Sequence, residues 1–439
     1  MKAFDLERLK KRTLIKDVFD KKLKNVEVVG WVHNTRELGK IKFLVLKDFS
    51  GVIQVTGVKG KTSTDVFKDM EKTPRESVVY VKGSIVNSKQ APGGKEIFPT
   101  EIIILSEAED LPIDVPFDPK DDAKTELHKR LDYRFLDLHR RKTQAIFKIQ
   151  NEIANSFREF FYDKNFIEVF LPSIISSSSE GGTDLFEVNY FSKKTYLAQS
   201  PQLYKQMVTI SPLEKVFTIT PVWRAEKHNT IRHLNESRQM DIEVAFAGQK
   251  QVMKELEDVL KYIVKKILEK CKDELEILNV KLKIPKSKYL SYDEAVKLLK
   301  MKYGEDFSPE DERKLNEKFP DTIVFVHSWP TETKHLFYLM PKDEKSDAKL
   351  CEGFDAIYKG LEISSGGQRI HIPKLLEEML KKFRMNPKNF KNYIDSFKFG
   401  APSHAGWSVG LERLTQVLCG LNNIREAVLF PRDRDRVSP

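Results

Sequence analysis

Residues 352–371 read EGFDAIYKGLEISSGGQRIH and bring together two acids seven positions apart, Asp355 and Glu362, followed by a guanidinium at Arg369. FDAIY and LEISS alternate apolar and polar residues, and Lys359-Gly360 between them has the composition of a two-residue hairpin turn. With that turn, Asp355 is predicted opposite Ser364, and Glu362 one diagonal step away on the same face. Acids so placed repel unless water screens them or a cation lies between them. A hard cation such as Mg2+, shared with substrate phosphates, suits the pair. A solvated hairpin with scattered charges fits the same spacing.

No GxxxxGK[ST] and no GxGxxG between strand and helix occurs in the chain, so nucleotide binding would rest on side-chain cations. Residues 216–246 read as strand, polar loop and strand, with Arg224, Arg232 and His233 around the loop. Arginine is suited to bidentate phosphate contact. Residues 400–436 run strand-like to Val409 and then turn helical. Gly406 and Gly410 permit close approach there, and Arg413 falls in the first helical turn, where unpaired backbone N–H groups also favour an anion. Taken alone, each stretch also fits a charged surface loop.

Groups this far apart in sequence need a scaffold. The 439 residues allow two or three domains, and 40% hydrophobic with 32% charged content suits a soluble globular chain. The longest apolar runs are too short to span a bilayer. The N-terminal residues mix acids and bases with no apolar signal core, so a cytoplasmic protein is expected. Cys271, Cys351 and Cys419 lie far apart, which argues for a reducing compartment and ordinary buried thiols. A net charge of +10 favours a polyanionic partner, although lysine-rich surfaces also serve solubility or heat stability.

Residues 25–106 read as five short strands with glycine-rich turns, the pattern of a small oligonucleotide-binding barrel. A proline- and aspartate-rich stretch at 109–122 reads as a linker. Helical periodicity follows over 140–166, with further helices near 250–273, 292–300, 373–385 and 410–420. The predicted fold class is α+β: an N-terminal barrel, a hinge, and a large domain on an antiparallel sheet flanked by helices.

Together these stretches resemble the three signature motifs of class II aminoacyl-tRNA synthetases, and among them the aspartyl-tRNA synthetases of the archaeal and eukaryotic kind. Motif 1 resembles the long helix leading through NFIEVFLPSII, motif 2 WRAEKHNTIRHLNE, and motif 3 GLERL. SEGGTDLF (179–186), QSPQLYKQ (199–206) and GLEISSGGQRIH also match, in order along nearly the whole chain. The resemblance implies an OB-fold anticodon-binding domain over 1–107, a hinge over 108–132 and a class II catalytic domain over 133–439. It implies ATP-dependent ligation of L-aspartate to tRNA(Asp) through an aspartyl-adenylate, with Mg2+ as cofactor and a homodimer formed through the motif 1 helix.

Carried over by position, Arg224 would meet the α-phosphate of ATP and Arg413 the γ-phosphate, with Glu226, Arg232, His233, Glu362 and Gly410 completing the ATP site. Asp355, Glu362 and Ser365 would hold Mg2+. Strict alternation points Ser364 that way instead, so a bulge at the following glycines is expected. Lys205 and Arg369 would grip the substrate's side-chain carboxylate, Gln202 and Ser365 would touch the amino acid, and Asp241 and Glu180 would lie near its ammonium. An amide substrate would leave both cations poorly paired, which favours aspartate over asparagine.

On the barrel, Phe43 and Gln54 match positions that hold the middle anticodon base, with Arg36 and Glu96 beside them. Without the resemblance, Phe43 reads as a core strand residue. His33 and Pro92 match the subgroup that accepts both tRNA(Asp) and tRNA(Asn). Two departures stand out. Trp407 and Ser408 replace a phenylalanine and a glycine in the last motif, and Ser237-Arg238 stands where an aromatic ring usually meets the adenine, so Arg238 is expected to stack there. The alternatives are an asparaginyl-tRNA synthetase, an asparagine-making paralogue, which would lack the barrel, and a non-catalytic tRNA-binding relative, which would lack the arginines and acid pair.

Overall fold

Along β1 (Asn25–Leu38) Val26, Val28 and Val32 turn to one side and are buried. With β2 (Ile41–Lys47), β3 (Val52–Val58), β4 (Val78–Asn87) and β5 (Lys95–Ser106) this strand closes a barrel in the order β1-β2-β3-β5-β4. Only β3 and β5 pair in parallel. This is the OB topology predicted. The helix Thr64–Lys72, capped by Ser63 and buried through Val66, Phe67 and Met70, was not anticipated.

The computed structural model describes residues 7–20, 22–116, 118, 121–176 and 185–439. By internal contacts the chain divides into units 1–125 and 126–439. The division falls inside the stretch read as a hinge.

The second unit contains β6 (Ile167–Glu168), β7 (Ile174–Ile175), β8 (Glu187–Tyr190), β9 (Lys193–Leu197), β10 (Lys215–Trp223), β11 (Glu236–Ala245), β12 (Lys286–Ser291), β13 (Thr322–His327), β14 (Gly353–Tyr358), β15 (Leu361–Gln368) and β16 (His404–Gly410). Eight of them form one sheet in the order β12-β13-β14-β15-β16-β11-β10-β6. Its centre is antiparallel, and β12/β13 and β10/β6 pair in parallel at the edges.

Strand alternation gives the sheet two unlike faces. Met240 and Ile242 of β11, Trp407 and Val409 of β16, and Phe354 and Ala356 of β14 belong to one core. Against them pack the helices Arg141–Asp163 and Gln249–Lys270, the first through Ile146, Ile149, Ile153, Phe157 and Phe161 at helical spacing. Trp407 is fully buried and donates its indole N–H to Val252 O at 2.9 Å. The intervening residues carry the polar groups. One row crosses four strands: Asp355 lies opposite Ser365, Ser365 opposite Ser408, and Ser408 opposite Asp241.

The β14–β15 hairpin forms where predicted, with Lys359 and Gly360 at φ of 49° and 76°, as a two-residue type I′ turn requires. Its register differs from strict alternation. Ile357 faces Glu362 while Ala356 faces Ser364, so Ile363 has no partner and a bulge sits there, before the glycines rather than at them. Asp355 therefore faces Ser365, not Ser364. The extra residue buries Ile363 in the core and leaves both Glu362 and Ser365 beside the cavity described below.

Candidate active site and barrel face

A cavity of about 300 Å³ opens on the polar face of the large sheet. Gln202, Arg224, Glu226, Arg232, His233, Glu362, Ser365, Arg369, Gly410 and Arg413, all singled out from the sequence, line it together. Three buried polar atoms on its lining, Gln202 Nε2, Gln239 Oε1 and Ser364 Oγ, have no protein hydrogen-bond partner. Such atoms are uncommon in native interiors, and on a cavity wall they can bond water or a ligand.

The loop between β10 and β11 is held at its neck. Arg224 N donates to Asn235 O at 2.9 Å, and the Asn235 side chain returns hydrogen bonds to Arg224 O at 2.7 Å and Glu226 O at 3.1 Å. His233 Nδ1 lies 2.6 Å from Thr230 Oγ1, and its Nε2 lies 3.6 Å from Glu226. Burial holds His233 below its ordinary value, and nearby Arg413 adds to this against the pull of Glu226. Arg413 donates to Glu362 O at 3.1 Å, tying the helix Leu411–Cys419 to β15. Gly410, its N-cap, has only ordinary contacts at a would-be Cβ, so the neighbouring protein does not demand a glycine there. Gly406 differs, since a Cβ would lie 2.2 Å from both Glu243 Oε2 and Ile242 O.

Lys205 and Asp241 lie beneath the cavity, each only 1% exposed. Lys205 Nζ donates to Asp241 Oδ1 at 2.7 Å and to Trp407 O at 3.2 Å, and lies 3.4 Å from Glu243 Oε2. Arg369 donates through Nε and Nη2 to the two oxygens of Glu243 at 2.9 and 3.3 Å. Sequence reasoning missed Glu243. Burial alone would raise its carboxyl, but Arg369 and Lys205 outweigh that and hold it below the usual carboxylate range. The quartet of two cations and two anions is neutral. An amide substrate would therefore not leave Lys205 and Arg369 unpaired, and the charge-pairing argument for aspartate loses its premise.

Asp355 is buried beside the hairpin with its Oδ1 lacking a protein partner, while Oδ2 accepts from Lys334. Burial pushes Asp355 up to about 7, against the pull of Lys334 and with Glu362 adding to the rise. Lys334 is a cation the sequence reading did not anticipate between these acids. An orphaned carboxylate oxygen, a second carboxylate at the cavity and a serine across the ladder are hard donors of the kind Mg2+ takes. Two further acids were missed: Glu312 accepts from Arg232 at 2.8 Å, and Glu412 accepts from the Arg238 N–H at 2.9 Å.

Arg238 does not line the cavity. Alternation turns Ser237 and Gln239 inward, and the Arg238 guanidinium lies 3.8 Å from Glu236 and 3.7 Å from Glu412. The expected adenine stack is not supported. Glu180 lies outside the described residues.

On the barrel, Arg36 pairs across the ladder with Phe43 and Phe43 with Thr56, while Gln54 pairs with Glu96. Gln54 Nε2 and Thr56 Oγ1 donate to Glu96 Oε2 at 2.7 and 2.6 Å. Phe43 is half-buried and outside the barrel's core cluster, so it is not the core residue its strand suggested. Pro92 is exposed in the turn before β5. His33 is corrected. It is the unmatched residue of a bulge between Val32 and Asn34 and is only 2% exposed, so its side chain is not presented to RNA. Its Nδ1 lies 2.9 Å from Lys47 Nζ and 3.2 Å from Glu76 Oε1.

Two family profiles match: "tRNA synthetases class II (D, K and N)" over residues 126–434 and "OB-fold nucleic acid binding domain" over 26–105. This chain belongs to the class II tRNA synthetases of the D, K and N group. A curated relative of the synthetase from Methanocaldococcus jannaschii, named Aspartate--tRNA(Asp/Asn) ligase, is 44% identical and covers 94% of each chain. The crystal structure of asparaginyl-tRNA synthetase from Pyrococcus horikoshii with asparaginyl-adenylate matches the synthetase with a TM-score of 0.89 at 32% identity, covering 98% of this chain and 99% of that one. An aspartyl-tRNA synthetase from Entamoeba histolytica matches at 0.86 and 29%, covering 100% of this chain and 95% of that one. The shared fold thus does not separate the two amino acids.

Proposed function

We propose that this synthetase ligates L-aspartate to tRNA(Asp) and to tRNA(Asn) through an aspartyl-adenylate. The observation that carries the reading is 44% identity, over 94% of both chains, to a ligase named for both tRNAs. The gathering of motif residues on one cavity agrees with it.

In the activation step the aspartate α-carboxylate attacks the α-phosphorus of ATP in line, and pyrophosphate leaves. Arg224 and Arg413 stabilise the negative charge spreading over the phosphates, while Glu226, Arg232 and His233 seat the nucleotide. Asp355, Glu362 and Ser365 would hold Mg2+, whose charge further neutralises the phosphates when bound. Arg369, held by Glu243, and Lys205, held by Asp241, offer N–H donors to the aspartate side chain, and Gln202 contacts the amino acid. In the second step the terminal adenosine's 3′-hydroxyl attacks the carbonyl carbon of the mixed anhydride, the acyl–phosphate bond breaks, AMP leaves, the hydroxyl proton passes to solvent, and positioning supplies the acceleration.

Arg36, Phe43, Gln54, Pro92 and Glu96 form the proposed anticodon face, with His33 supporting it from within. Phe170 and Phe191, 88% and 93% exposed, follow the motif 1 helix and support a homodimer built on that region. Sedimentation at two protein concentrations tests the dimer. Among the described residues no helix is long and apolar enough to cross a membrane, and the site of action is proposed as the cytoplasm.

The decisive experiment charges tRNA(Asp) and tRNA(Asn) transcripts with labelled aspartate, and with labelled asparagine in parallel. Aspartate on both supports the proposal. Aspartate on tRNA(Asp) alone removes the dual specificity, and asparagine alone removes the assignment of the amino acid.

A further inference from the structure

We infer that Arg425 is a positioning residue for ATP, clasping the β10–β11 loop to the segment 423–436 and so setting Arg232 and His233 at the cavity. Arg425 does not itself line the cavity. Its Nη1 donates to Thr230 O at 3.1 Å, its Nη2 to Asn229 Oδ1, and its Nε to Asp433 Oδ2. Thr230 is the hub of the loop. Its Oγ1 accepts from the Arg232 N–H at 3.2 Å and lies 2.6 Å from His233 Nδ1, while its carbonyl also accepts from the His233 N–H at 3.3 Å. One guanidinium thus holds the residue to which Arg232 and His233 are both tied.

The seam continues on either side of Arg425. Ile424 N donates to Ile231 O and Asn235 N to Arg432 O, each at 2.9 Å. Asn229 Nδ2 donates to Asp435 Oδ2, and Leu234, Ile424 and Val428 pack as a small core of their own. Asp433 builds the far end of the segment, its Oδ1 accepting from the Asp435 and Arg436 N–H groups at 2.9 Å each. An arginine suits this place, because its donors point in fixed directions and several acceptors can be held at once.

Which partner holds the other is decided by what lies behind the segment. Buried Arg134 donates through Nη2 to Arg425 O at 3.1 Å and Val428 O at 2.7 Å, and through Nε to Leu429 O at 3.0 Å. Gln150, on the helix Arg141–Asp163, donates to Ala427 O at 2.7 Å. The segment is therefore fixed from behind, and the loop, exposed over residues 227–231, takes its position from the segment. An exposed loop opens at little cost unless it is braced. Releasing the clasp should loosen Arg232 and His233 and leave Lys205 and Arg369, which stand on other elements, where they are.

The inference rests on the proposed function, so its first readout is ATP binding by equilibrium dialysis, which needs neither aspartate nor tRNA. A wild type that binds ATP but shows no aspartate-dependent pyrophosphate exchange would sink the choice of amino acid and not this inference. Arg425→Lys is the test variant. A lysine ammonium can still pair with Asp433, which protects the fold, but it has no fork with which to reach Thr230 and Asn229 as well. Its Kd for ATP is expected to rise about tenfold, the scale of one or two lost hydrogen bonds to the loop, while the KM for aspartate in exchange moves less than about twofold. The amides of Asn235 and Ile424, which donate across the seam, should exchange hydrogen about tenfold faster, with the urea midpoint near that of the wild type. Asn229→Ala, on the exposed rim, should give the same pattern more weakly. Unchanged ATP binding or unchanged amide exchange in Arg425→Lys would overturn the inference. So would equal losses for aspartate and ATP with a lowered urea midpoint, which would mean a loosened sheet, and so would a wild type that binds no ATP.

Discussion

Glu243→Gln is the most informative single substitution in this molecule. It keeps the size of the side chain and one oxygen acceptor but removes the charge that faces Arg369 at 2.9 and 3.3 Å and Lys205 at 3.4 Å. All three groups are buried. Removing one partner of a buried ion pair costs about 3–5 kcal/mol, because the other charge stays buried and uncompensated. Lys205 keeps Asp241 at 2.7 Å, so only Arg369 is stranded, and the expected loss of stability lies at the low end, about 3 kcal/mol. Misaimed cations in the amino-acid pocket should also lower kcat/KM for aspartate by about 100-fold, near 2.7 kcal/mol of transition-state stabilisation. The pH dependence adds an independent check. Glu243 in the folded protein titrates below its ordinary value, so its contribution is present above that value and lost as pH falls through the lower, folded one. The variant lacks this acid-side loss. Denaturant melts across pH and aspartate-dependent pyrophosphate exchange measure both effects. A variant with wild-type kcat/KM and an unchanged unfolding midpoint would refute the claim that Glu243 organises the pocket.

Further expectations follow from other residues. His404 is fully buried, stacks on Phe397 at 5.6 Å and is held down to about 4 by burial. The unfolded chain therefore takes up its proton first, and stability should decline by up to ~3 kcal/mol as pH falls from about 6.5 to about 4, a loss that His404→Asn should reduce in urea melts. Phe43→Ala should raise the KM for tRNA about tenfold, as removal of one base-stacking ring does, while aspartate-dependent pyrophosphate exchange without tRNA stays as in the wild type. Gly406→Ala places a methyl 2.2 Å from Glu243 Oε2 and from the Ile242 carbonyl. The backbone cannot yield cheaply, so a loss of about 1–3 kcal/mol in thermal or urea unfolding is expected.

Much of this could be read from residue order because the signals were local. Short apolar and β-branched runs between glycine-rich turns gave the five barrel strands, and helical spacing gave Arg141–Asp163 and Gln249–Lys270 to within a few residues. The hairpin turn at Lys359-Gly360 was equally plain. The bulge at His33 was not, and the one expected at the β15 glycines sits at Ile363 instead, because one unmatched residue changes neither composition nor period by enough to notice, yet it decides which side chain faces inward. Internal charge partners were hidden for another reason. Glu243 meets Arg369 from 126 positions away, and Glu312 meets Arg232 from 80. Nothing in either neighbourhood announces the other, and only the folded sheet brings them together.

The row Asp355–Ser365–Ser408–Asp241 works as a fixed scale. Adjacent strands stand ~4.8 Å apart, so its ends are separated by roughly 14 Å, a length set by backbone hydrogen bonding and not by any loop. Loops of the second unit can therefore lengthen or shorten without changing the distance between the proposed phosphate end and the proposed amino-acid end. Side chains on β11 can likewise change while β14 and β15 keep their graduation. A scaffold marked off in this way lets descendants trade one amino acid for another while the handling of ATP stays in place.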